Sequence, residues 1–161
     1  MKRFLFLGVL FLGIGFGSKA QVVKNYTLQD IENQKVSLYD IKGEKLTVLD
    51  FWTTWCKPCR KAIPELNKIY AKSKDQGVQI IGVNCDGPRT TAQVPGVSRS
   101  LQIDYPVLVD VNMDIANSLN IGNFPTLIIL DQKNKIKFFH EGFIPGDEEE
   151  IIAAINKLLE K

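Results

Sequence analysis

Apolar side chains follow two different periods along this chain, and the period predicts where strands and helices lie. Residues 46–52 and 78–83 are almost continuously apolar, which is typical of central strands covered on both faces. From residue 57 to about residue 74 the apolar positions recur at helical spacing, and they are Ala62, Ile63, Leu66, Ile69 and Tyr70. We therefore predict a helix after the first central strand, with a kink at Pro64 inside it.

Two pairs of short β-type segments predict hairpins. Residues 26–31 and 35–39 form the first pair, which turns at Asn33. Residues 126–130 and 135–140 form the second pair, joined by a short polar connection. The chain is thus predicted to begin and nearly end with antiparallel strands.

The segment between the second central strand and the second hairpin is less regular. Residues 86–102 carry some helical spacing, and Pro95 is expected to distort or start that helix. Residues 105–109 then predict a strand, and residues 114–119 predict a short helix capped by Asp114.

The final helix has the clearest boundaries. Asp147 is the predicted N-cap, and Glu150 three residues later completes a capping box. One face of this helix carries Ile151, Ile152, Ile155, Leu158 and Leu159. Strands alternating with helices, then a hairpin and a last helix, predict the α/β class: a three-layer α/β/α sandwich around a mixed central sheet, with an N-terminal β-hairpin extension.

The first twenty residues look like a targeting segment and not part of this fold. A basic start is followed by the uncharged apolar residues 4–17 and then by Ser18-Lys19-Ala20, as in a secretory signal peptide cleaved near Ala20. The alternative is an uncleaved membrane anchor, although the apolar run is short for a membrane span. We expect a signal peptide over residues 1–20, one domain over residues 21–161, and export to the periplasm or cell envelope.

Charge and cysteine content narrow the function. The whole chain has a formal net charge of +2, and three of its basic residues lie in the leader, so the mature charge is about −1. Nucleic acid is therefore not an expected partner, and we expect a monomer. Three cysteines in an exported chain of this size do not form a disulfide framework, so the close pair requires a chemical explanation.

Cys56 and Cys59 are spaced for reversible disulfide chemistry. At the start of a helix they lie one turn apart, with Cα atoms about 5–6 Å apart, a distance that a disulfide can close. Pro58 fits the first turn, where no hydrogen bond is lost. The helix N-terminus favours a thiolate at Cys56, so we assign Cys56 as the nucleophile that attacks a substrate disulfide and Cys59 as the thiol that resolves the mixed disulfide.

Asp50 interrupts the first central strand six residues before Cys56. Burial would raise its pKa and let it exchange protons near neutral pH, so it is a candidate base for Cys59. The alternative is that Asp50 ends the strand and faces solvent.

Residues 48–59 resemble the active-site segment of the thioredoxin superfamily, and Phe124-Pro125-Thr126 resembles the cis-proline loop of that superfamily. The resemblance implies that this loop faces the cysteines and offers backbone groups to a substrate strand. With the positions next to Cys56, it gives a set of candidate substrate-contact residues: Trp55, Lys57, Pro58, Phe124, Pro125 and Thr126.

The leader, the first hairpin and the long 86–102 segment resemble the TlpA/ResA-like exported reductases. Members of that group usually carry Asn where this chain has Asp50. The resemblance implies electrons received from a membrane thiol reductase and passed to disulfide-containing envelope proteins, including apocytochromes c in some members, with no cofactor. Because Lys57-Pro58 contains no histidine, we expect a reducing pair.

Several other residues have two interpretations. Trp52 is expected in the core, while Trp55 beside Cys56 is a natural substrate platform, although both could be structural. Cys85 is either an accessory thiol or an inert small residue. Asp86 is either an acid that tunes the cysteines or a loop acid or helix cap. His140 is the single histidine, and a metal role for it is disfavoured.

Two alternative functions stay open at this point. A thiol peroxidase would share the fold, but no Thr-x-x-Cys arrangement with an arginine placed to activate peroxide is evident. A non-catalytic binding domain would keep Cys56 and Cys59 as a permanent disulfide.

Overall fold

The computed structural model describes residues 21–160, so the predicted signal peptide lies outside the described residues. Within this part of the chain, none of the helices has the length and apolar character needed to cross a membrane.

A seven-stranded mixed sheet forms the centre of the molecule. Its strands are β1 (Thr27–Asp30), β2 (Lys35–Ser37), β3 (Leu46–Trp52), β4 (Val78–Asn84), β5 (Val107–Val109), β6 (Thr126–Leu130) and β7 (Ile136–Glu141). They lie in the order β2-β1-β5-β4-β3-β6-β7. The β3, β4 and β5 strands are parallel, and the other pairings are antiparallel, as expected for the predicted mixed sheet.

Helices cover both faces of the sheet and complete the three layers. The α-helices are α1 (Lys57–Ser73), α2 (Val94–Ser100), α3 (Asp114–Ser118) and α4 (Asp147–Leu159), and 3₁₀ turns occupy Leu38–Asp40, Lys74–Gln76 and Thr91–Gln93. Alternate side chains of β3 face opposite layers: Val48 packs with residues of α1 and α4, whereas Leu49 packs with residues of α3. All seven residues of β3 are buried, which explains its nearly continuous apolar sequence.

The first hairpin is confirmed and is continuous with the central sheet. Leu28 lies opposite Val36, and Gln29 lies opposite Val109 of β5. The Asp30 carboxylate closes the turn because it accepts hydrogen bonds from the backbone N–H groups of Glu32 and Gln34, at 2.9 and 2.8 Å.

The predicted cap of α3 is wrong. Asp114 is the first residue of α3, and the Asp110 carboxylate, four residues earlier, accepts from three backbone N–H groups of the helix. These are the N–H groups of Asp114 at 2.7 Å, Ile115 at 3.0 Å and Ala116 at 3.1 Å. The acid that satisfies the helix start thus stands directly after β5.

The predicted capping box of α4 is also wrong. Asp147 is the first helical residue, and its carboxylate accepts from the N–H of Ile144 at 2.8 Å, outside the helix. Glu150 turns to His140, with Oε2 3.3 Å from Nδ1. Ile152 is 37 % exposed and so lies off the buried face of α4.

The remaining element boundaries agree closely with the prediction. Pro95 stands in the first turn of α2 and so starts that helix. The α1 helix continues through Pro64. β5 begins only at Val107, two residues later than predicted, and Tyr105 is buried in the core that includes residues of α1.

Candidate active site

Cys56 and Cys59 form a disulfide where the chain passes from β3 to α1. Their Cα atoms are 5.3 Å apart, within the range that the sequence predicts. Cys56 is the N-cap residue of α1, and its Sγ accepts the backbone N–H of Cys59 at 3.1 Å. Cys56 is 3 % exposed and Cys59 is fully buried, so an incoming substrate meets Cys56 first.

This placement favours a thiolate at Cys56 once the disulfide is reduced. The first N–H groups of a helix lack partners inside the helix and carry partial positive charge. The Cys59 N–H already points at the Cys56 sulfur, and a hydrogen bond to the charged form lowers a thiol pKa. Lys57 and Pro58, the two residues between the cysteines, are both exposed.

Asp50 is buried inside β3, so the interpretation that it faces solvent is wrong. The carboxyl is 1 % exposed, and the hydroxyl of Tyr105 donates to its Oδ2 at 3.2 Å. Burial raises the pKa of Asp50 to about 7, and the hydrogen bond from Tyr105 opposes part of that rise. A carboxyl with this pKa exchanges a proton readily near neutral pH.

A small cavity connects Asp50 with the helix that carries the cysteines. Its volume is about 10 Å³, enough for roughly one water molecule. The lining includes Asp50, Ala62 of α1, Pro125 and His140. Ala62 lies one turn after Cys59 in α1. The cavity beside the Asp50 carboxyl therefore borders the same short stretch of α1 that carries Cys59.

Sequence reasoning missed Tyr105 as a partner of Asp50. Burial raises the pKa of the Tyr105 hydroxyl well above its usual value, and the nearby Asp50 raises it further. Tyr105 therefore acts as a hydrogen-bond donor across the whole physiological pH range. Its position in a segment predicted as a strand gave no signal that it would face a carboxyl in another strand.

Thr54, two residues before Cys56, is held at every polar atom. Its N–H and its hydroxyl both donate to the Asp86 carboxylate at 2.7 Å. Its carbonyl accepts from Nε and Nη2 of Arg60, at 3.2 and 2.9 Å. We call these three residues, Asp86, Thr54 and Arg60, the Thr54 clamp.

Asp86 is a buried acid in the loop after β4, as one of its two interpretations expects, and its carboxylate faces the segment before Cys56. Besides Thr54, the amide of Asn84 donates to it at 2.9 Å. Burial alone would raise the pKa of Asp86, but the hydrogen bonds to its carboxylate outweigh burial and hold the pKa below its usual value. Asp86 thus stays ionised and anchors the segment that leads to Cys56.

The cis-proline loop lies beside the disulfide. The Phe124-Pro125 peptide bond is cis, as the resemblance implies, and Thr126 begins β6 directly after it. Phe124 packs against the buried cluster that contains Cys56, and its ring lies edge-on to Trp55 with centroids 6.2 Å apart. Trp55 is 65 % exposed, whereas Trp52 is fully buried, as predicted.

The backbone of this loop is only partly available to a substrate. The Pro125 carbonyl accepts the N–H of Gly142 at 2.8 Å. Within residues 21–160, neither the N–H nor the C=O of Phe124 has a backbone partner. Phe124, and not Pro125, therefore offers the free backbone groups next to Cys56.

Cys85 follows β4 and is buried as a free thiol. Its N–H donates to the Trp52 carbonyl at 2.8 Å, which places it next to the segment leading to the disulfide. Burial raises the pKa of the Cys85 thiol far above its usual value, and the neighbouring carboxylates of Asp110 and Asp86 raise it further. These properties favour the inert interpretation over an accessory thiol.

His140 binds carboxylates. Its Nε2 lies 3.1 Å from Oδ2 of Asp147, its Nδ1 contacts Glu150, and its ring stacks on Phe138. Between residues 21 and 160 there is no group of three or more His, Cys, Asp and Glu side chains placed to hold a metal ion.

The peroxidase alternative needs one correction, because Thr53 does stand three residues before Cys56. Its hydroxyl is buried and has no hydrogen-bond partner. The nearby Arg60 is engaged by the Thr54 carbonyl. The spacing is thus present, but the arginine is used to hold the loop.

Comparison with known proteins identifies relatives of this arrangement. A family model described as the AhpC/TSA family matches residues 20–139. ResA, a thiol-disulfide oxidoreductase of Bacillus cereus, is 36% identical over 112 residues, which is 70% of this chain and 63% of that relative. The chain thus spans somewhat less than two thirds of that relative's length. ResA of Halalkalibacterium halodurans is 31% identical over 135 residues, covering 84% of this chain and 73% of the relative.

Solved structures show the same fold. A Chlorobium tepidum protein assigned to the DsbE thiol:disulfide interchange proteins superposes with a TM-score of 0.80 at 28% identity, covering 88% of this chain and 98% of that one. A thiol:disulfide interchange protein from Bacteroides sp. gives a TM-score of 0.71 at 28% identity, over 89% and 91% of the two chains. Because the family model spans most of the chain and the relatives share both sequence and fold with it, this chain belongs to the AhpC/TSA family, as a relative of the ResA thiol-disulfide oxidoreductases.

Proposed function

We propose that this protein is a thiol-disulfide oxidoreductase that reduces disulfides of cell-envelope proteins through Cys56 and Cys59. The observation that carries the proposal is the disulfide at the N-terminus of α1, in which only Cys56 reaches the surface. A permanent structural disulfide would gain nothing from a helix N-terminus that stabilises a thiolate, whereas a reactive pair does.

The reaction proceeds in two exchanges. In the reduced protein, the Cys56 thiolate attacks one sulfur of a substrate disulfide, forms a mixed disulfide and releases the first substrate thiolate. The Cys59 thiolate then attacks the Cys56 sulfur, which releases the second substrate thiolate and forms the Cys56–Cys59 disulfide. Two electrons have passed from the protein to the substrate, and the disulfide form is the product.

The Asp50 carboxyl supplies the proton acceptor for the second exchange. Cys59 is buried and must lose its proton before it can attack. The pKa of about 7 lets Asp50 accept that proton and return it to solvent near neutral pH. The small cavity beside Ala62 offers room for a water molecule to relay the proton.

Substrate contact falls to the residues around Cys56. The rings of Trp55 and Phe124 form an aromatic surface beside Cys56. The free backbone groups of Phe124 can form hydrogen bonds with an extended substrate strand. The proposed site also includes the exposed Lys57 and Pro58, and the buried Pro125 and Thr126 that follow Phe124 in the chain. A platform of this kind binds many sequences, because backbone pairing does not depend on the substrate side chains.

The sequence and the family support proposals for the direction of electron flow, the location and the partners. The Lys57-Pro58 dipeptide favours a reducing pair, which requires a thiol reductase as electron donor. The leader-like residues 1–20 favour export, with action in the periplasm or cell envelope as a monomer. Envelope proteins with disulfides, including apocytochromes c, are the proposed clients.

Disulfide turnover with cysteine variants tests this function. Wild type should reduce insulin or glutathione disulfide catalytically, and Cys56→Ser should be inactive because the nucleophile is lost. Cys59→Ser should form mixed disulfides that accumulate, because the resolving thiol is lost. Mass spectrometry of the trapped species then identifies the client.

Cys85→Ser is the matched control and should turn over like wild type, since Cys85 is buried. If wild type exchanges no disulfide, the binding-domain alternative replaces this proposal. Equilibration of the same samples with glutathione gives the reduction potential of the Cys56–Cys59 pair, and so the direction of electron transfer. A reduction potential near that of strong oxidases, about −120 mV, would contradict the reducing assignment.

A further inference from the structure

Four lysines and three leucines line a shallow cleft at the end of the molecule far from the disulfide. The cleft has a volume of about 500 Å³. We call this surface the lysine face, and it consists of Lys45, Lys133, Lys135 and Lys137 around Leu46, Leu158 and Leu159. All four lysines are exposed.

None of the four lysines of the lysine face forms a salt bridge within the described part of the protein. Over residues 21–160, Lys68 is the one lysine in a salt bridge. Asp131 is the one carboxylate that lines the cleft, and it accepts the backbone N–H groups of Lys133 and Lys135 at 2.9 and 3.0 Å. The lysine ammonium groups are therefore available to an anionic partner.

An acidic helix start lies at the end of the molecule opposite the lysine face. Leu46 begins β3 at the lysine face and Trp52 ends it near the disulfide, about 20 Å away. The α4 helix runs between the same ends, with Leu159 at the lysine face. Its first turn at the other end carries the acidic residues Asp147, Glu148, Glu149 and Glu150. The acidic first turn of α4 therefore lies at the end of the molecule opposite the lysine face, although Lys57, Arg60 and Lys61 of α1 also lie at that end.

The chain enters the domain beside the lysine face. Val22 forms a β-bridge with Lys135, and the Gln21 carbonyl accepts the N–H of Ile136 at 2.9 Å. The mature chain that cleavage near Ala20 produces would therefore begin next to the lysine face.

We propose that the lysine face docks on a bilayer surface that contains anionic phospholipids. The ammonium groups bind lipid phosphates, and the leucines of the cleft contact the interface between headgroups and acyl chains. Docking in this orientation turns the disulfide and Trp55 away from the bilayer, toward soluble proteins. The attraction is electrostatic, so it weakens as salt increases.

Vesicle co-sedimentation tests the proposal. The protein is purified from the envelope of the expressing cells, and its N-terminus is determined by mass spectrometry. Wild type should sediment with vesicles of phosphatidylcholine and phosphatidylglycerol in equal parts more than with pure phosphatidylcholine, and high salt should release it. Lys133→Gln/Lys135→Gln should lower the partition coefficient on the order of 30-fold, because each surface lysine contributes a fixed share of the attraction.

Lys61→Gln/Arg89→Gln, at the disulfide end, is the matched control, since it removes the same charge elsewhere and should change partitioning by less than about threefold. If the partition coefficient falls equally in the two double variants, the vesicles attract only the net charge of the protein. That result would overturn the proposal that the lysine face is a specific docking surface. Binding of wild type to polyglutamate but not to the anionic vesicles would make the partner an acidic protein and overturn the lipid assignment.

Tryptophan emission tests the orientation. Trp52 and Trp55, the protein's two tryptophans, both lie at the disulfide end. Vesicles with brominated acyl chains quench only tryptophans that approach the bilayer, so emission of the bound protein should not change. Strong quenching would place the disulfide end on the membrane and overturn the docked orientation.

Discussion

Burial and a single hydrogen bond act in opposite directions on the Asp50 carboxyl. Burial raises its pKa to about 7 from 3.8, and the Tyr105 hydroxyl limits the rise. The folded protein therefore holds a proton on Asp50 between about pH 4 and pH 7, where the unfolded chain has released it. Because the folded state binds more protons in that window, its stability falls as the pH rises through the window.

The first residue-level prediction concerns Asp50→Asn. Wild type should lose about 4 kcal/mol of unfolding free energy between about pH 4 and pH 7 through this one group. The asparagine variant lacks this loss. Its unfolding free energy, relative to that of wild type, should therefore rise by that amount over the same pH range. Denaturant unfolding of wild type and of Asp50→Asn, both with the Cys56–Cys59 disulfide formed, measures the difference across the pH series.

The same variant should reduce disulfide turnover roughly 10²-fold, because Cys59 loses its proton acceptor. Asp75→Asn, at an exposed acid far from the cysteines, is the matched control for both measurements. Parallel pH–stability curves for wild type and Asp50→Asn would rule out a raised pKa at this carboxyl.

Asp50 could be identified from sequence because a charge inside an apolar strand breaks the pattern. Tyr105 could not, because its bond to Asp50 joins residues 55 positions apart and depends on how the chain before β5 packs against β3. Likewise, the cis-proline loop is visible in the sequence, while the use of the Pro125 carbonyl by Gly142 is a property of the packed hairpin.

The loop between β3 and α1 is fixed by the Thr54 clamp. Asp86, at the end of the neighbouring strand, accepts two bonds from Thr54, and Arg60 from the first turns of α1 donates to the Thr54 carbonyl. One strand end, one loop and one helix are thus tied together two residues before Cys56. The position of Cys56 relative to the cis-proline loop depends on this contact.

Thr54→Val tests the Thr54 clamp. The change keeps the shape of the side chain but removes a hydrogen bond to a buried carboxylate, so unfolding free energy should fall by about 2 kcal/mol. Disulfide turnover should fall as well, because the nucleophile is less well positioned. Urea unfolding and insulin reduction measure the two effects.

Thr53 provides a matched control in the adjacent position. Its hydroxyl is buried without a partner, so Thr53→Val should leave stability unchanged or raise it slightly. Equal destabilisation by the two valines would show that the loss arises from packing and not from the Asp86 bond.

Helix starts show where sequence patterns reach their limit at the level of elements. The sequence places α3 and α4 well, but Asp110 caps α3 from a strand end and Asp147 binds Ile144 outside α4. A capping pattern reports that an acid is near a helix start. Which acid turns toward the free N–H groups depends on how the preceding loop approaches the helix.

The whole molecule is organised around one sheet shared by two cores. Val48 and Leu49, adjacent in β3, belong to opposite layers, so neither layer can unfold without exposing the other side of the same strand. The hairpin was predicted as an extension, but its pairing with β5 was not, because that contact joins residues about 80 positions apart in the chain.

Unfolding of the whole molecule should be a single cooperative transition. Tryptophan fluorescence reports on the disulfide end and far-ultraviolet circular dichroism on all elements, and their urea midpoints should coincide because the cores share one sheet. Separate midpoints would show that the disulfide end unfolds as an independent unit.

The buried Cys85 also affects the fidelity of the exchange. A mixed disulfide at Cys56 can rearrange onto any nearby thiolate, and each wrong transfer leaves a dead-end species that must be rescued. Cys85 lies beside the segment that leads to Cys56, but its thiol is enclosed and its pKa is raised, so it stays protonated and cannot compete. Burial and nearby negative charge thus exclude Cys85 from the exchange before any substrate binds, and only Cys56 and Cys59 can react.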